Sequence, residues 1–553
     1  MIFQEIRVFI NLMFLYVIMG DIIKFFDFFY RKYFPEFQSD IIHSSKFHRA
    51  FYLFIPFFLI SAIIFGFFSK FLIALNLEYN SDSVIPGMIV REMWQYHNYL
   101  LQGYHLEGSY TAIFTDILPF HLLIQGITNY NPTALRITCY LIFILTLILF
   151  SYLIFRYSRS YFPVFVFLAL MLNLDPNSYY YYIIPVLHNG TAFFTALMII
   201  LLLDFNTRYR NLLIPIIAGI FMSLLIFSDS IIIMTFLIPF IVYYIFFQKE
   251  KTMNSHFVMV FTCVLAFFAN IIKNSPILGY FPHHPSIMTI PYMIFINIPL
   301  FIRSVLIDIN YVTTNIFEKP NVFPYIEGIV LICIVAWALW WTVNIVKSPK
   351  DEQEKRIKPL IIFLLLSGLF FFLSFISTIT PDTMYTSRYL TFTATTFFVV
   401  VALACLKKNN YYLVVICLAI GIGIITNLIY LPTLTYHPDQ DKYDLIQYLE
   451  ANNLSYGFGD YWDSNILTYL ANEKIIIRPV ESTSSNIISF AWLSSDRWFK
   501  DRPPGVNEYF IIEHSDVHLT KNDIDRLIKT TPPVKILDYK NYRIFVFPIS
   551  TMS

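Results

Sequence analysis

The sequence predicts a mainly α-helical bundle that crosses a membrane about eleven times and ends in a small extracytoplasmic α/β domain. Three observations predict it. The chain of 553 residues is 57% hydrophobic and only 14% charged, with a mean hydropathy of +0.61. A soluble chain carries roughly 25% charge. Run after run approaches the roughly 20 apolar residues that a bilayer crossing needs. After residue 436 the pattern changes, because charges become frequent and short alternating segments replace the long apolar ones.

Composition narrows the function classes. A net charge of +1 offers no basic excess for nucleic acid. The 19% aromatic share reads first as core packing and interfacial belts, and second as surfaces that stack on sugar or lipid. All the cysteines (Cys139, Cys263, Cys333, Cys405 and Cys417) fall in apolar runs, so no disulfide framework holds the tail. His283 and His284 stand without a Cys, Glu or third His at ligand spacing. No resident metal or other cofactor is expected, and a divalent-cation requirement stays open.

Residues 1–50 read as a cytoplasmic or interfacial segment. Its apolar stretch 6–30 carries Asp21, Lys24 and Asp27, which suits an interfacial helix or a short extra span. Residues 51–436 form the transmembrane unit. Its spans are read at 51–77, 134–155, 161–174, 180–204, 212–228, 230–247, 256–272, 325–346, 359–379, 389–406 and 411–431. Connections carrying Arg156/Arg159, Arg208/Arg210, Lys249/Lys251, Lys347/Lys350/Lys355/Arg356/Lys358 and Lys407/Lys408 fall on alternating crossings, with Arg31, Lys32, Lys46 and Arg49 before the first. The positive-inside rule makes that side the cytoplasm of a multi-pass cell-membrane protein. The stretch 291–307 is apolar, but a single crossing there would turn the later lysines outward. It is expected to be interfacial or re-entrant.

The first external loop, 78–133, opens with "EYNSDSVIPGMIVREMWQYHNYLLQG". Ile85, Ile89, Met93, Tyr96 and Leu100 line one face of a helical period, and Arg91, Gln95, Asn98 and Gln102 line another. The period predicts a helix over 84–102 lying along the outer membrane surface. Asn80, Ser81 and Asp82 stand where a cap belongs. A second helix is expected from near Asp116 to Ile127, with Pro119 in its first turn. In the tail, 437–553, "DKYDLIQYLEANN" and "DSNILTYLAN" read as helices. "YGFGDYW", "KIIIRPV", "EYFIIEH", "VKILDY" and "YRIFVFP" read as strands, with a further helix near 521–529.

A many-span body, a long first external loop with an acid just after the first span ("YNSDS"), amphipathic helices in that loop, an external Ser387-Arg388-Tyr389 and an external C-terminal domain stand together here. The combination resembles the GT-C superfamily of polytopic membrane glycosyltransferases. The resemblance implies an inverting transfer of a hexosyl or pentosyl unit from a polyprenyl-phosphate-linked donor to a glycan, lipid or protein acceptor. It also implies a first-loop aspartate as catalytic base and an external arginine on the lipid phosphate. By position these fall on Asp82 and Arg388. Ser83 follows Asp82 where some members carry a second adjacent acid, which departs from the protein mannosyltransferase pattern.

The chemistry of the residues agrees with that assignment. Sugar transfer needs a base for the acceptor and a cation for the leaving phosphate, and arginine grips phosphate at two points. Each candidate also has a plainer reading. Asp82 and Asp116 are helix caps or site acids. Glu78 is a solvated loop charge or a second acid. Arg388, beside Tyr389, is a headgroup anchor or a donor ligand. His188 and Asn189 are an interhelical hydrogen-bonding pair or part of a substrate cavity. Asp229 is a turn residue or faces that same cavity. Trp462, in an aromatic-acid patch with Tyr461 and Asp463, packs a strand end or stacks on sugar. Two other classes compete with the enzyme reading, a lipid or solute transporter and a non-catalytic scaffold. The absence of repeated halves and the few intramembrane charges argue against the transporter.

Overall fold

The computed structural model describes residues 46–106, 111–185, 188–203, 213–248, 260–265, 267–268, 271, 291–308, 323–377, 390–407, 409–434, 437–482, 487–490, 492–500, 503–514, 528 and 531–551. Among the described residues, five helices are long and apolar enough to cross a membrane: Phe54–Leu75, Pro132–Ser158, Ile329–Lys347, Glu352–Ser377 and Asn410–Thr433. They belong to α1 (Lys46–Leu75), α4 (Pro132–Ser158), α11 (Phe323–Lys347), α12 (Glu352–Ser377) and α14 (Asn410–Tyr430). Shorter apolar helices pack among them: α5 (Phe162–Leu172), α6 (Pro176–Ile183), α7 (Asn189–Leu202), α8 (Leu213–Ser228), α9 (Ile233–Phe246), α10 (Pro291–Asp308) and α13 (Thr391–Ala404). The fold is therefore mainly helical, but helix length does not establish about eleven crossings.

Local chemistry explains the short pieces. The predicted span 180–204 is broken between α6 and α7. Ile184 precedes Pro185 and is extended (ψ 130°), and a residue before proline avoids the helical region. His188 then takes a left-handed φ of 57° before α7 starts. The predicted span 230–247 opens with a π-helical turn over Ile233–Leu237. About half of the predicted span 256–272, and all of the predicted helix 521–529 except Ile528, lie outside the described residues. So do Arg388, Tyr389, His283 and His284.

The first loop departs from expectation in how it is covered. Its helix is α2 (Ser81–Trp94), and Gln95 to Gly103 continue without helix. Nearly every residue of α2 is buried. One face meets α3 (Ile113–Ile127), whose first nine residues wind as a π-helix around Pro119. The other meets α16 (Tyr461–Leu470) of the tail. Gly87 marks the approach, because a Cβ there would fall 2.4 Å from the Tyr469 ring. Val84, Met88, Ile89 and Ile117 share one apolar core with Leu445, Leu467, Phe510 and Ile544 of the tail. Each such side chain contributes roughly 1.5–3 kcal/mol by burial. The alternation of apolar residues identifies one buried face; the tail covers the other.

The tail begins with α15 (Gln440–Ala451). Among the described residues it carries a six-stranded sheet in the order β3-β2-β1-β4-β6-β5. The strands are β1 (Tyr456–Gly459), β2 (Ile476–Ser482), β3 (Ile487–Ser489), β4 (Glu508–His514), β5 (Lys535–Tyr539) and β6 (Tyr542–Pro548). β1 runs parallel to β2 and β4, and the other pairings are antiparallel. α16 connects β1 to β2, as a parallel pair requires a crossover.

Contacts gather the helix ends into two groups. At one end, Lys407 pairs with Glu354, and Gln353 donates to the Ser158 carbonyl at 3.0 Å. At the other, Arg136 Nη2 lies 2.6 Å from Asp439 Oδ2, and Arg136 Nε donates to the Leu77 carbonyl at 2.8 Å. Asp439 Oδ1 accepts from the Tyr79 amide at 3.0 Å. The tail is thus clamped to the exit of α1 and the start of α4, next to the start of α2.

Candidate active site

Asp82 is the second residue of α2, and it is not the cap. Asn80 caps instead: its side-chain oxygen accepts from the Ser83 amide at 2.9 Å, and Ser83 Oγ accepts from the Asn80 amide at 2.8 Å. This reciprocal box leaves the Asp82 carboxylate for other partners. Pro86 also removes the helix bond that the Asp82 carbonyl would accept. Tyr461 Oη donates to Asp82 Oδ1 at 2.6 Å, and Ser81 Oγ donates to the Trp462 carbonyl at 2.6 Å. The starts of α2 and α16 therefore meet. Burial, and then the neighbouring Asp82 charge, pushes the Tyr461 phenol well above its ordinary range, so it stays a neutral donor.

A second group lies at the start of α7. His188 Nδ1 is 2.5 Å from Asp229 Oδ2, and Thr191 Oγ1 donates to the same oxygen. Asp229 Oδ1 accepts from the Ile231 amide at 3.0 Å. Asp116 Oδ1 accepts from the Gly190 amide at 2.9 Å, where the α7 N-terminus favours negative charge. No side chain fits at Gly190, since a Cβ would sit 1.9 Å from the Thr115 carbonyl oxygen. Asn189 donates to the Ile184 carbonyl at 2.8 Å and lines a small cavity with Thr146, Tyr182, Thr391 and Thr395. His188, Asn189, Asp229 and Asp116 are thus brought together around one helix start. Glu78 is exposed at the exit of the first span.

Two residues and one ion pair of this region escaped the sequence reading. Lys70 is fully buried in α1; its ammonium donates to the Leu174 carbonyl and to Asn427 Oδ1, and lies 4.8 Å over the Tyr179 ring. A lysine inside the first apolar run was its signal. Asp308 ends α10 fully buried, with neither carboxylate oxygen hydrogen-bonded among the described residues. Its signal was an acid closing an apolar run. The Arg136–Asp439 clamp had no local signal. Among the described residues, no three His, Cys, Asp or Glu side chains stand close enough to hold a metal ion.

The bundle, the enclosed first loop and the tail sheet together define the fold, and that fold has a solved counterpart. No protein-family model matches the sequence, and no curated protein sequence does. The crystal structure of ArnT from Cupriavidus metallidurans bound to undecaprenyl phosphate is similar at a TM-score of 0.51 and 11% identity, covering 89% of this chain and 98% of that one. The Archaeoglobus fulgidus oligosaccharyltransferase in its apo form gives a TM-score of 0.43 at 12% identity over 76% of this chain. AglB from Archaeoglobus fulgidus, in complex with an inhibitory peptide and a dolichol-phosphate, gives 0.41 at 12% identity over 79%. The matched regions span 64% and 65% of the length of those two oligosaccharyltransferase chains.

Proposed function

We propose that this protein is a membrane glycosyltransferase that moves a sugar from a polyprenyl-phosphate donor to an acceptor on the extracytoplasmic side. The observation that carries the reading is the Asp82 carboxylate. It is relieved of capping by Asn80 and faces Tyr461 of the tail at the exit of the first long apolar helix. A fold shared with a structure that holds undecaprenyl phosphate supports it. In the transfer, Asp82 takes the acceptor hydroxyl proton as that oxygen bonds to the anomeric carbon. The bond from that carbon to the phosphate oxygen breaks, and its electron pair leaves with the polyprenyl phosphate. A single displacement of this kind inverts the anomeric centre.

Arg388 is assigned to the donor phosphate, which it can hold at two points, with Tyr389 beside it. The His188–Asp229 pair, Asn189 and Asp116 are assigned to the donor side of the site, and Trp462 to the acceptor side. Glu78 is a reserve acid at the same helix exit. The extracytoplasmic assignment follows from the lysines and arginines of the opposite end. The test is to incubate purified protein with a panel of polyprenyl-phosphate sugars, with and without added magnesium or manganese, and to assay free polyprenyl phosphate. Release with at least one sugar is expected. No release from any member, under either condition, would remove the reading.

A further inference from the structure

We infer that Trp462 and Trp492 form a carbohydrate subsite beside Asp82, and that the acceptor of the reaction is therefore a glycan. The inference rests on the glycosyltransfer reading above and specifies the acceptor class. Four aromatic rings gather at the start of α16. The Tyr461 ring stacks on Trp492 with centroids 5.4 Å apart and planes 27° apart. Phe490 meets it at 5.4 Å, and Trp462 meets it edge-on at 5.3 Å. Tyr461 also donates to Asp82 at 2.6 Å, so one residue joins the ring cluster to the candidate base.

Packing does not consume the two indoles. Trp462 is 44% exposed and Trp492 is 38% exposed, whereas Trp498, a few residues on, is 1% exposed with its N–H directed at Glu92. Tyr461 covers part of Trp492, and the exposed remainder is available to a ligand. A carboxylate borders the cluster, because Asp82 lies at the Tyr461 hydroxyl.

A sugar ring has the matching chemistry. Its C–H face carries partial positive charge and lies against the negative face of an indole. Its hydroxyl rim donates to carboxylates, which only accept. A lipid acceptor would call for a continuous apolar groove without acids. A peptide would instead pair with the sheet edge at β3 and would have no use for two exposed indoles beside a carboxylate.

The experiment applies the labelled full-length protein in detergent to a printed array of defined oligosaccharides and to a matched array of peptides. Binding to a structurally related group of glycans is expected. The signal should fall about ten-fold or more in Trp492→Ala and in Trp462→Ala at unchanged melting temperature, as lost stacking does. Trp492→Phe should retain most of it, and Asp82→Asn should still bind. A blank glycan array, binding confined to peptides, or glycan binding indifferent to both alanine variants would overturn the inference. Lipid-phosphate release by the unmodified protein is measured in parallel. Release with a blank array removes the glycan subsite and leaves the enzyme; glycan binding without release from any donor keeps the carbohydrate site and removes the transferase.

Discussion

Asp82 and Tyr461 are 379 positions apart and share a 2.6 Å hydrogen bond. Tyr461→Phe keeps the ring and its packing and removes only the donor. A hydrogen bond to a charged group is worth about 1.5–3 kcal/mol, so the turnover number should fall by roughly 10- to 100-fold. The acceptor KM should change little, and the melting temperature should stay within a few degrees. Steady-state kinetics beside a thermal melt would check this. Asp82 was proposed from a local pattern, an acid just past the first apolar run, and it does stand just past α1. The cap was harder to assign, since Asn80, Ser81 and Asp82 all suit that position. Tyr461 as its partner was not legible, because no local period links a first-loop acid to a tail helix.

At the scale of elements, α2 is fastened at both ends. Near its C-terminus, Glu92 lies 2.8 Å from Arg497 and accepts from Ser495 at 3.2 Å, Asn98 at 3.3 Å and Trp498 at 3.4 Å. Burial alone would raise the Glu92 carboxyl, but the Arg497 contacts outweigh it and hold the group below its usual range. Its contribution is thus present above the unfolded carboxyl pKa and is lost as pH falls through the lower folded value. Glu92→Ala removes the charged partner of the partly exposed Arg497 and should cost about 1.5–3 kcal/mol, visible as a fall in melting temperature. The first turn of α16 has the opposite sign. Burial, and then the charge of Asp460, pushes the Asp463 carboxyl up to about 6. Between about pH 4 and this value the folded chain holds a proton that the unfolded chain has lost, so stability falls as pH rises. Asp463→Asn should remove that fall and raise the melting temperature above pH 6, by less than about 3 kcal/mol. Melts at pH 4.5 and 7.5 would show it. The helical period of α2 was legible, and its burial was not, since period identifies an apolar face without saying what covers the other.

At the scale of the molecule, the alternation of cationic connections was legible, and the contacts of Lys407 with Glu354 and of Gln353 with Ser158 bring such ends together. The number of crossings was not legible. Hydropathy averages across the break at Ile184–His188, which Pro185 and a left-handed residue impose. If the tail is extracytoplasmic, a reporter fused after Ser553 and active only in the cytoplasm should stay silent, while one placed in the connection near Lys350 should be active. The central claim, that Asp82 is the base of a sugar transfer, is tested most directly by donor turnover in Asp82→Asn. Asn80 does the capping and the amide is nearly isosteric, so expression and detergent monodispersity should match the unmodified protein. An amide cannot take the acceptor proton, so transfer should fall roughly 10²–10⁴-fold. Transfer within a few-fold of the unmodified protein, in equally well folded material, would contradict the account.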